Sequence, residues 1–186
     1  MSKYDYFRGG DNDIDVFMAK QDTYKSLKNS ELDSIPQDEL ITAVTSWIEG
    51  KFAADWSDMC KVINDLPTPC LNIYCANYVS AEILDGGFSQ AFFNTSRDFI
   101  GAAANGLRAI GMDSAANVIE RALKADFDSG KKSGGSGIDD FLSFISDDRF
   151  SAMDKDFRAV FDKSLYKKRT YDYIIHYKKY FGETNN

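Results

Sequence analysis

The stretch EILDGGFSQAFFNTSRD, residues 82–98, decides the interpretation of this chain. Its two adjacent glycines follow an acidic residue, as is typical of a helix end, because glycine readily adopts the left-handed conformation that closes many helices. Three phenylalanines and the amides of Gln90 and Asn94 follow within the next seven residues. The stretch therefore predicts two successive helices that meet at Gly86 and Gly87.

Helical periodicity runs through most of the chain. Apolar residues recur at the spacing i, i+3, i+4, i+7, and no run of about four to eight residues alternates cleanly as a strand would. The sequence predicts an all-α fold, a single compact domain of about 8 to 10 helices over residues 1–186. Gly111, ahead of an aspartate and a serine, is typical of a helix end that is followed by a new cap.

Proline and capping residues set the predicted helix boundaries. Ser34, Pro36 and Gln37 match a capping box with a proline near the first turn. Thr68 ahead of Pro69 repeats this pattern for the next long helix. The predicted helices span residues 12–28, 36–49, 55–65, 69–84, 87–94, 97–110, 114–127, 138–146, 153–164 and 170–180.

One segment has the composition of a loop. The run DSGKKSGGSG, residues 128–137, is rich in glycine and serine, which predicts a flexible surface loop inside the domain. The roughly 50 residues after it are too few for a comfortable independent core. They are also rich in phenylalanine and tyrosine, so we expect residues 138–186 to pack back on the preceding helices.

The charge of the chain is uneven. Its 22 basic and 29 acidic side chains give a net charge of −7. Residues 1–162 contain 16 basic and 27 acidic side chains, whereas residues 163–186 contain 6 basic and 2 acidic ones. Because affinity for phosphate comes mostly from lysine and arginine, direct binding of nucleic acid is not expected. The sequence predicts an acidic body with a basic C-terminal helix.

Cysteine use and hydropathy predict the compartment. Cys60, Cys70 and Cys75 cannot all pair with one another, and none belongs to a Cys-x-x-Cys pattern beside histidines. The N-terminal residues contain no apolar signal region, and no stretch reaches the roughly 18 apolar residues of a membrane span. We therefore predict a cytoplasmic, bacterial-type protein without a membrane segment.

The sequence contains no recognisable catalytic, cofactor or metal motif. The Asp-x-Asp-x-Asp spacing of residues 11–15 resembles a calcium loop, but Val16 and Asp22 replace the glycine and glutamate that such a loop needs. His176, the only histidine, lies among tyrosines on a predicted helix, and no motif identifies a nucleophile or substrate pocket for it. No cofactor or metal is predicted, and enzymatic activity has no positive support.

The two amides of the opening stretch have a structural interpretation. Gly86 is expected to take the left-handed position that ends the first helix, and Gly87 to let the chain turn into the second. Gln90 and Asn94 lie four residues apart, on one stripe of that second helix. Their amides are expected to pair with backbone groups at the abutting helix ends. Contact with a ligand or partner is the alternative.

The same residues resemble a known family. The pattern is similar to the DNA mimic protein 19-like family, a bacterial helical family of otherwise unknown function. The resemblance implies an acidic surface that imitates duplex DNA and binds a DNA-binding transcription factor. Asp85, Ala91 and Arg97 depart from the family's asparagine, aromatic and glycine. The matching residues of the motif are Glu82, Gly86, Gly87, Phe88, Gln90, Phe92, Phe93 and Asn94.

Carboxylates are the natural candidates for contact with a basic partner. Many of them lie near predicted helix starts, where aspartate caps N–H groups and interacts favourably with the helix dipole. Capping therefore explains much of the acidity, and the basic last helix would interrupt a duplex-like face. The candidate partner-binding residues are Asp55, Asp58, Asp85, Asp139, Asp140, Asp147 and Asp148.

The function predicted from the sequence is that of a non-enzymatic acidic interaction protein, a monomer or homodimer. Its partner would be a protein, such as a basic DNA-binding or effector protein. Two alternatives stay open. One is a small-molecule-binding domain or enzyme with a pocket near Gln90 and Asn94, and the other is an immunity or antitoxin-like protein.

Overall fold

The computed structural model describes residues 22–53, 57–129, 142 and 148–184. Within these residues the chain is helical and has no strand beyond an isolated parallel bridge between Lys28 and Glu183. The prediction of an all-α fold is confirmed. Three predicted features lie outside the described residues, namely the helix at 138–146 except for Leu142, residues 130–137 of the loop, and the acidic run at 11–15.

The part of the chain that the structure describes includes seven α-helices, and short 3₁₀ helices flank several of them. The 3₁₀ helices span Asn29–Ser34, Asp148–Phe150 and Lys178–Tyr180. The α-helices are α1 (Leu40–Glu49), α2 (Met59–Asn64), α3 (Thr68–Asn94), α4 (Arg97–Ala109), α5 (Asp113–Asp128), α6 (Ser151–Val160) and α7 (Lys163–His176).

The predicted start of the helix at residues 36–49 is wrong by four residues. Helix α1 begins at Leu40 rather than at Pro36, and the Ser34 hydroxyl donates to the Glu31 carbonyl at 2.6 Å. Ser34 therefore ends the preceding 3₁₀ helix instead of capping α1. The carbonyl of Pro36 accepts the first hydrogen bonds of the new turn, from the N–H groups of Glu39 and Leu40 at 2.9 and 3.1 Å.

The boundaries near the C-terminus also differ from those predicted. Helix α6 ends at Val160, four residues before the predicted end at 164, and α7 begins at Lys163, seven residues before the predicted start at 170. The reason is Phe161, whose side chain is buried and whose backbone leaves the helical region at φ −85° and ψ 96°.

The turn between α4 and α5 forms as the sequence predicts. Gly111 has φ 75°. The N–H of Met112 donates to the Leu107 carbonyl at 2.8 Å, and that of Gly111 to the Arg108 carbonyl at 2.9 Å. This double pairing is a Schellman motif, which satisfies carbonyls at the helix end. It joins α4 to α5 through a short turn.

Contacts within the chain define two units, whose boundary falls inside α3, between Tyr74 and Cys75. The motif unit consists of the described residues from Cys75 to Asp162 and contains most of α3 together with α4, α5 and α6. The terminal unit consists of the described residues before Cys75 and after Asp162. Organisation as one domain over residues 1–186 stays a prediction.

The terminal unit is closed by the chain's last described residues. The N–H of Asn29 donates to the Glu183 carbonyl at 2.9 Å, and the N–H of Glu183 donates to the Leu27 carbonyl at 2.8 Å. Gly182 has φ 80°, and a Cβ on it would lie 2.7 Å from the Asn29 nitrogen. The side chain of Phe181 is fully buried beside this pairing, so the C-terminal residues belong to the unit's core.

Candidate functional site

A kink in α3 lies at the centre of the motif. Gly87 has φ 81° and ψ −179°, a combination that is essentially restricted to glycine. The expectation that Gly86 takes the positive φ is therefore wrong. Gly86 is needed for space instead, because a Cβ on it would lie 2.0 Å from Oε1 of Gln90.

Two side chains of helix α6 form hydrogen bonds with the backbone of α3 at the kink. Oδ1 of Asp154 accepts from the Phe88 N–H at 2.8 Å, and Nη2 of Arg158 donates to the carbonyls of Ile83 and Leu84 at 3.2 and 3.4 Å. An acid thus caps the start of the second half of α3, and a base caps the end of the first half. Both charges are favourable with respect to the helix dipoles. We call Asp154 and Arg158 the kink clamp.

Glu82 organises the amides of the motif. Its side chain is buried, and Oε2 accepts from Nε2 of Gln90 at 3.0 Å and from Nδ2 of Asn94 at 2.5 Å. The amides thus bind a carboxylate rather than the helix-end backbone groups that we expected. A buried carboxylate requires hydrogen-bond donors more strongly than partly exposed backbone does. We call Glu82, Gln90 and Asn94 the carboxylate–amide cluster.

The phenylalanines of the motif form the core beneath the kink. Phe88 and Phe92 are fully buried, whereas Phe93 is half-buried. The ring of Phe92 stacks on Phe150 with centroids 5.1 Å apart, and Phe88 meets Phe157 edge to face at 5.9 Å. Residues that precede position 130 and residues that follow position 147 therefore share one core.

The candidate partner-binding carboxylates have different environments. Asp85 and Asp148 are exposed. Asp58 is half-buried, and its Oδ1 accepts a hydrogen bond from the N–H of Ala53 at 2.7 Å. This carboxylate therefore binds backbone of its own chain rather than being open to a partner. The other four candidates lie outside the described residues, namely Asp55, Asp139, Asp140 and Asp147.

Several carboxylates of the motif unit form ion pairs. Arg108 binds both oxygens of Glu120, at 2.7 and 3.0 Å, and this pairing lowers the pKa of Glu120 and raises that of Arg108. Nε of Arg97 lies 2.6 Å from Oδ2 of the fully buried Asp126. Within the described ranges, four exposed acids of this unit have no ion pair, and we call them the open carboxylates: Asp85, Asp98, Asp128 and Asp148.

The acidic surplus of the described residues lies in the motif unit. This unit contains 11 acidic and 7 basic side chains among its described residues, whereas the terminal unit contains 10 of each. The basic residues of α7 are therefore offset by acids of their own unit. Among the described residues, the division that carries the acidic surplus is therefore the one between the two units.

The remaining sequence candidates have ordinary environments. Cys75 is buried, and burial raises its pKa and that of Cys70 to about 12. His176 is exposed at the end of α7, with its ring edge-on to Tyr177. Among the described residues, no group of three potential metal ligands forms, and no helix is long and apolar enough to cross a membrane.

Sequence reasoning missed the kink clamp and the role of Arg97. Asp154 is 66 residues from its backbone partner, and Arg158 is 75 residues from Ile83. Arg97, which departs from the family's usual glycine, binds a buried acid 29 residues away. The only available signal was the spacing of Asp154 and Arg158 on one helix face, which does not identify a distant partner.

Comparisons with known proteins agree with the motif. No curated protein and no solved structure matches this chain. A family model described as DMP19-like protein matches residues 64–177, which is more than half of the chain and includes the whole motif unit. The resemblance predicted from the motif is therefore confirmed: the chain belongs to the DMP19-like protein family.

Proposed function

We propose that this protein is a non-enzymatic, acidic interaction protein that binds a basic protein partner, such as a DNA-binding or effector protein, through its motif unit. The observation that carries the proposal is the set of open carboxylates on a unit with an acidic surplus. Membership in the DMP19-like family supports it, because the family takes its name from a DNA mimic.

Rigid placement of the carboxylates supports the same function. A surface that imitates phosphates needs charges at defined positions, because free rotation would average them out. Asp85 lies at the kink, and its Oδ2 is 3.3 Å from Nε2 of Gln90, which also binds Glu82. Asp148 begins the 3₁₀ helix that ends at Phe150, whose ring is buried in the core. Both acids are thus carried by well-packed backbone.

Binding of this kind is governed by electrostatics. Exposed charges interact over a Debye length of about 8 Å at physiological salt, so complementary surfaces would mainly accelerate association and select partners. The polar groups of the motif are already paired within the fold, since Gln90 and Asn94 both donate to Glu82. This pairing favours a protein-binding role over a small-molecule site at these amides.

The proposal includes a cytoplasmic location. Cys60, Cys70 and Cys75 are all free, whereas proteins of oxidising compartments commonly form disulfides. An immunity-like role, in which the partner is a basic toxin, would use the same surface. The identity of the partner distinguishes the two roles, so the decisive experiment is capture of the partner.

The test is affinity capture from bacterial lysate at about 50 mM and about 500 mM salt, because screening weakens exposed charge pairs. The variant Asp85→Asn/Asp148→Asn removes two open carboxylates. The matched control, Asp38→Asn/Asp65→Asn, removes two exposed acids of the terminal unit. We expect the wild type and the control to retain a basic protein at low salt only, and the first variant to lose most of it.

Two results would contradict the proposal. One is the absence of any basic protein that is retained at low salt and released at high salt. The other is equal loss of capture in both double variants, which would mean that total charge, rather than the open carboxylates of the motif unit, governs binding.

A further inference from the structure

A shallow cleft of about 420 Å³ lies between α4 and α5, away from the carboxylate–amide cluster. Asp98, Gly101 and Asn105 line it from α4, and Glu120 and Leu123 line it from α5. The space above Gly101 is open, since a Cβ on this residue would meet no atom within 4 Å. This volume falls in the range of about 300–1,000 Å³ that is typical of sites for small groups.

Only some of the charged side chains around the cleft have an ion-pair partner. Arg108 binds both oxygens of Glu120, and Asp126 accepts from Nε of Arg97 at 2.6 Å. Asp98, in the first turn of α4, has no ion pair among the described residues. Arg97 also lines the cleft, but its guanidinium is paired with the buried Asp126. The cleft therefore combines an apolar wall with one carboxylate at its edge, that of Asp98, which has no ion pair among the described residues.

We propose that this cleft receives an arginine side chain of the basic partner, an inference that rests on the function proposed above. The aliphatic stem of such a residue packs on Leu123 and on the open face of Gly101. The guanidinium pairs with the carboxylate of Asp98 and with the amide oxygen of Asn105. Arginine suits the site better than lysine, because its planar group presents several donors in a fixed fork.

Two substitutions at one position test this placement without removing any contact. Gly101→Leu fills the cleft, whereas Gly101→Ala adds only a methyl group to open space. Because glycine is a poor helix former, both changes should preserve or raise the melting temperature. Asp98→Asn provides an independent variant that removes the charge and keeps the shape.

The probe is a short alternating alanine–arginine peptide, and its control is the same peptide with neutral citrulline in place of arginine. Amide chemical shifts of the isotope-labelled full chain report where each peptide binds. We expect the arginine peptide alone to shift the amides of Gly101 and Asn105. Gly101→Leu and Asp98→Asn should each weaken its binding by about tenfold or more, a loss of about 1.4 kcal/mol, and Gly101→Ala by less than about twofold.

Several outcomes would overturn the inference. If the arginine peptide shifts the amides of Asp85 and Asp148 and leaves those of the cleft unchanged, the cleft is not the site, although the proposed function stands. Unchanged affinity in a folded Gly101→Leu variant has the same meaning. Absence of any binding also overturns the inference, and the capture experiment then decides the proposed function separately.

Discussion

Replacement of Gly87 by alanine should lower the free energy of unfolding by about 2–5 kcal/mol. The first reason is the backbone: φ 81° with ψ −179° costs a residue with a side chain about 1–3 kcal/mol. The second reason is space, since a Cβ would lie 2.8 and 2.9 Å from the two carboxylate oxygens of Asp154.

Displacement of that carboxylate adds to the cost. Asp154 accepts the N–H of the fully buried Phe88 at 2.8 Å, and a buried donor that is left without its acceptor costs about 1–3 kcal/mol. The two contributions overlap, because either the backbone or the carboxylate yields. We therefore expect the total to lie below the sum of the two upper limits.

Gly101→Ala is the matched control for this substitution. The same chemical change places a methyl group in open space within a helix, where alanine is favoured over glycine by up to about 1 kcal/mol. Urea unfolding of both variants should therefore give effects of opposite sign. A second check is the double variant Gly87→Ala/Asp154→Ala, in which the steric part of the cost disappears and the two effects become non-additive.

A Gly87→Ala variant within about 0.5 kcal/mol of the wild type would refute this reasoning, because such a difference is typical of a surface substitution away from any special feature. Strict additivity of the two substitutions would refute the steric contact between position 87 and Asp154. In that case the cost at Gly87 would come from its backbone conformation alone.

Three further predictions concern the cluster, the thiols and the pH dependence of stability. Glu82→Gln should lower the free energy of unfolding by about 1–3 kcal/mol, because a carboxamide oxygen is a weaker hydrogen-bond acceptor than a carboxylate for the two amide donors. Urea unfolding measures this loss, and a change below about 0.5 kcal/mol would contradict the role of the cluster. Cys60 should react with a thiol reagent at neutral pH while Cys70 and Cys75 do not, so one thiol titrates in the native chain and three in the denatured chain. The ion pair with Arg108 lowers the pKa of Glu120 in the fold, so its contribution to the free energy of unfolding is present above the unfolded pKa and is lost as the pH falls through the folded value. Glu120→Gln should therefore lower the free energy of unfolding by less than about 1 kcal/mol at neutral pH and leave it unchanged in acid. An equal loss of stability in acid would contradict the ion pair.

Periodicity and local chemistry were enough to predict the helices and some of their ends. The turn at Gly111 is an example: its hydrogen bonds join Met112 to Leu107 and Gly111 to Arg108, all within six consecutive positions. A glycine that ends a helix acts on its immediate neighbours, so its effect can be inferred from sequence. The family could be inferred for a similar reason, since the motif occupies one continuous stretch.

At two places the sequence allows two local conformations and does not indicate which of them forms. Ser34 can cap the following helix or donate to the Glu31 carbonyl behind it, and the chain takes the second course. Gly86 and Gly87 can each adopt a positive φ. Asp154, 66 residues from its N–H partner, lies against Gly87 and leaves no room for a side chain there.

The tertiary structure alone also assigned the acids to their roles. Asp58, Asp85 and Asp126 are the same residue type, yet the first accepts from a loop N–H, the second is exposed and the third is buried against Arg97. Sequence determines which residues can bear charge and which face of a helix is apolar, because these properties are local. Whether a carboxylate is open to a partner depends on burial and on bases far away in the chain, and only the packing of the helices decides that.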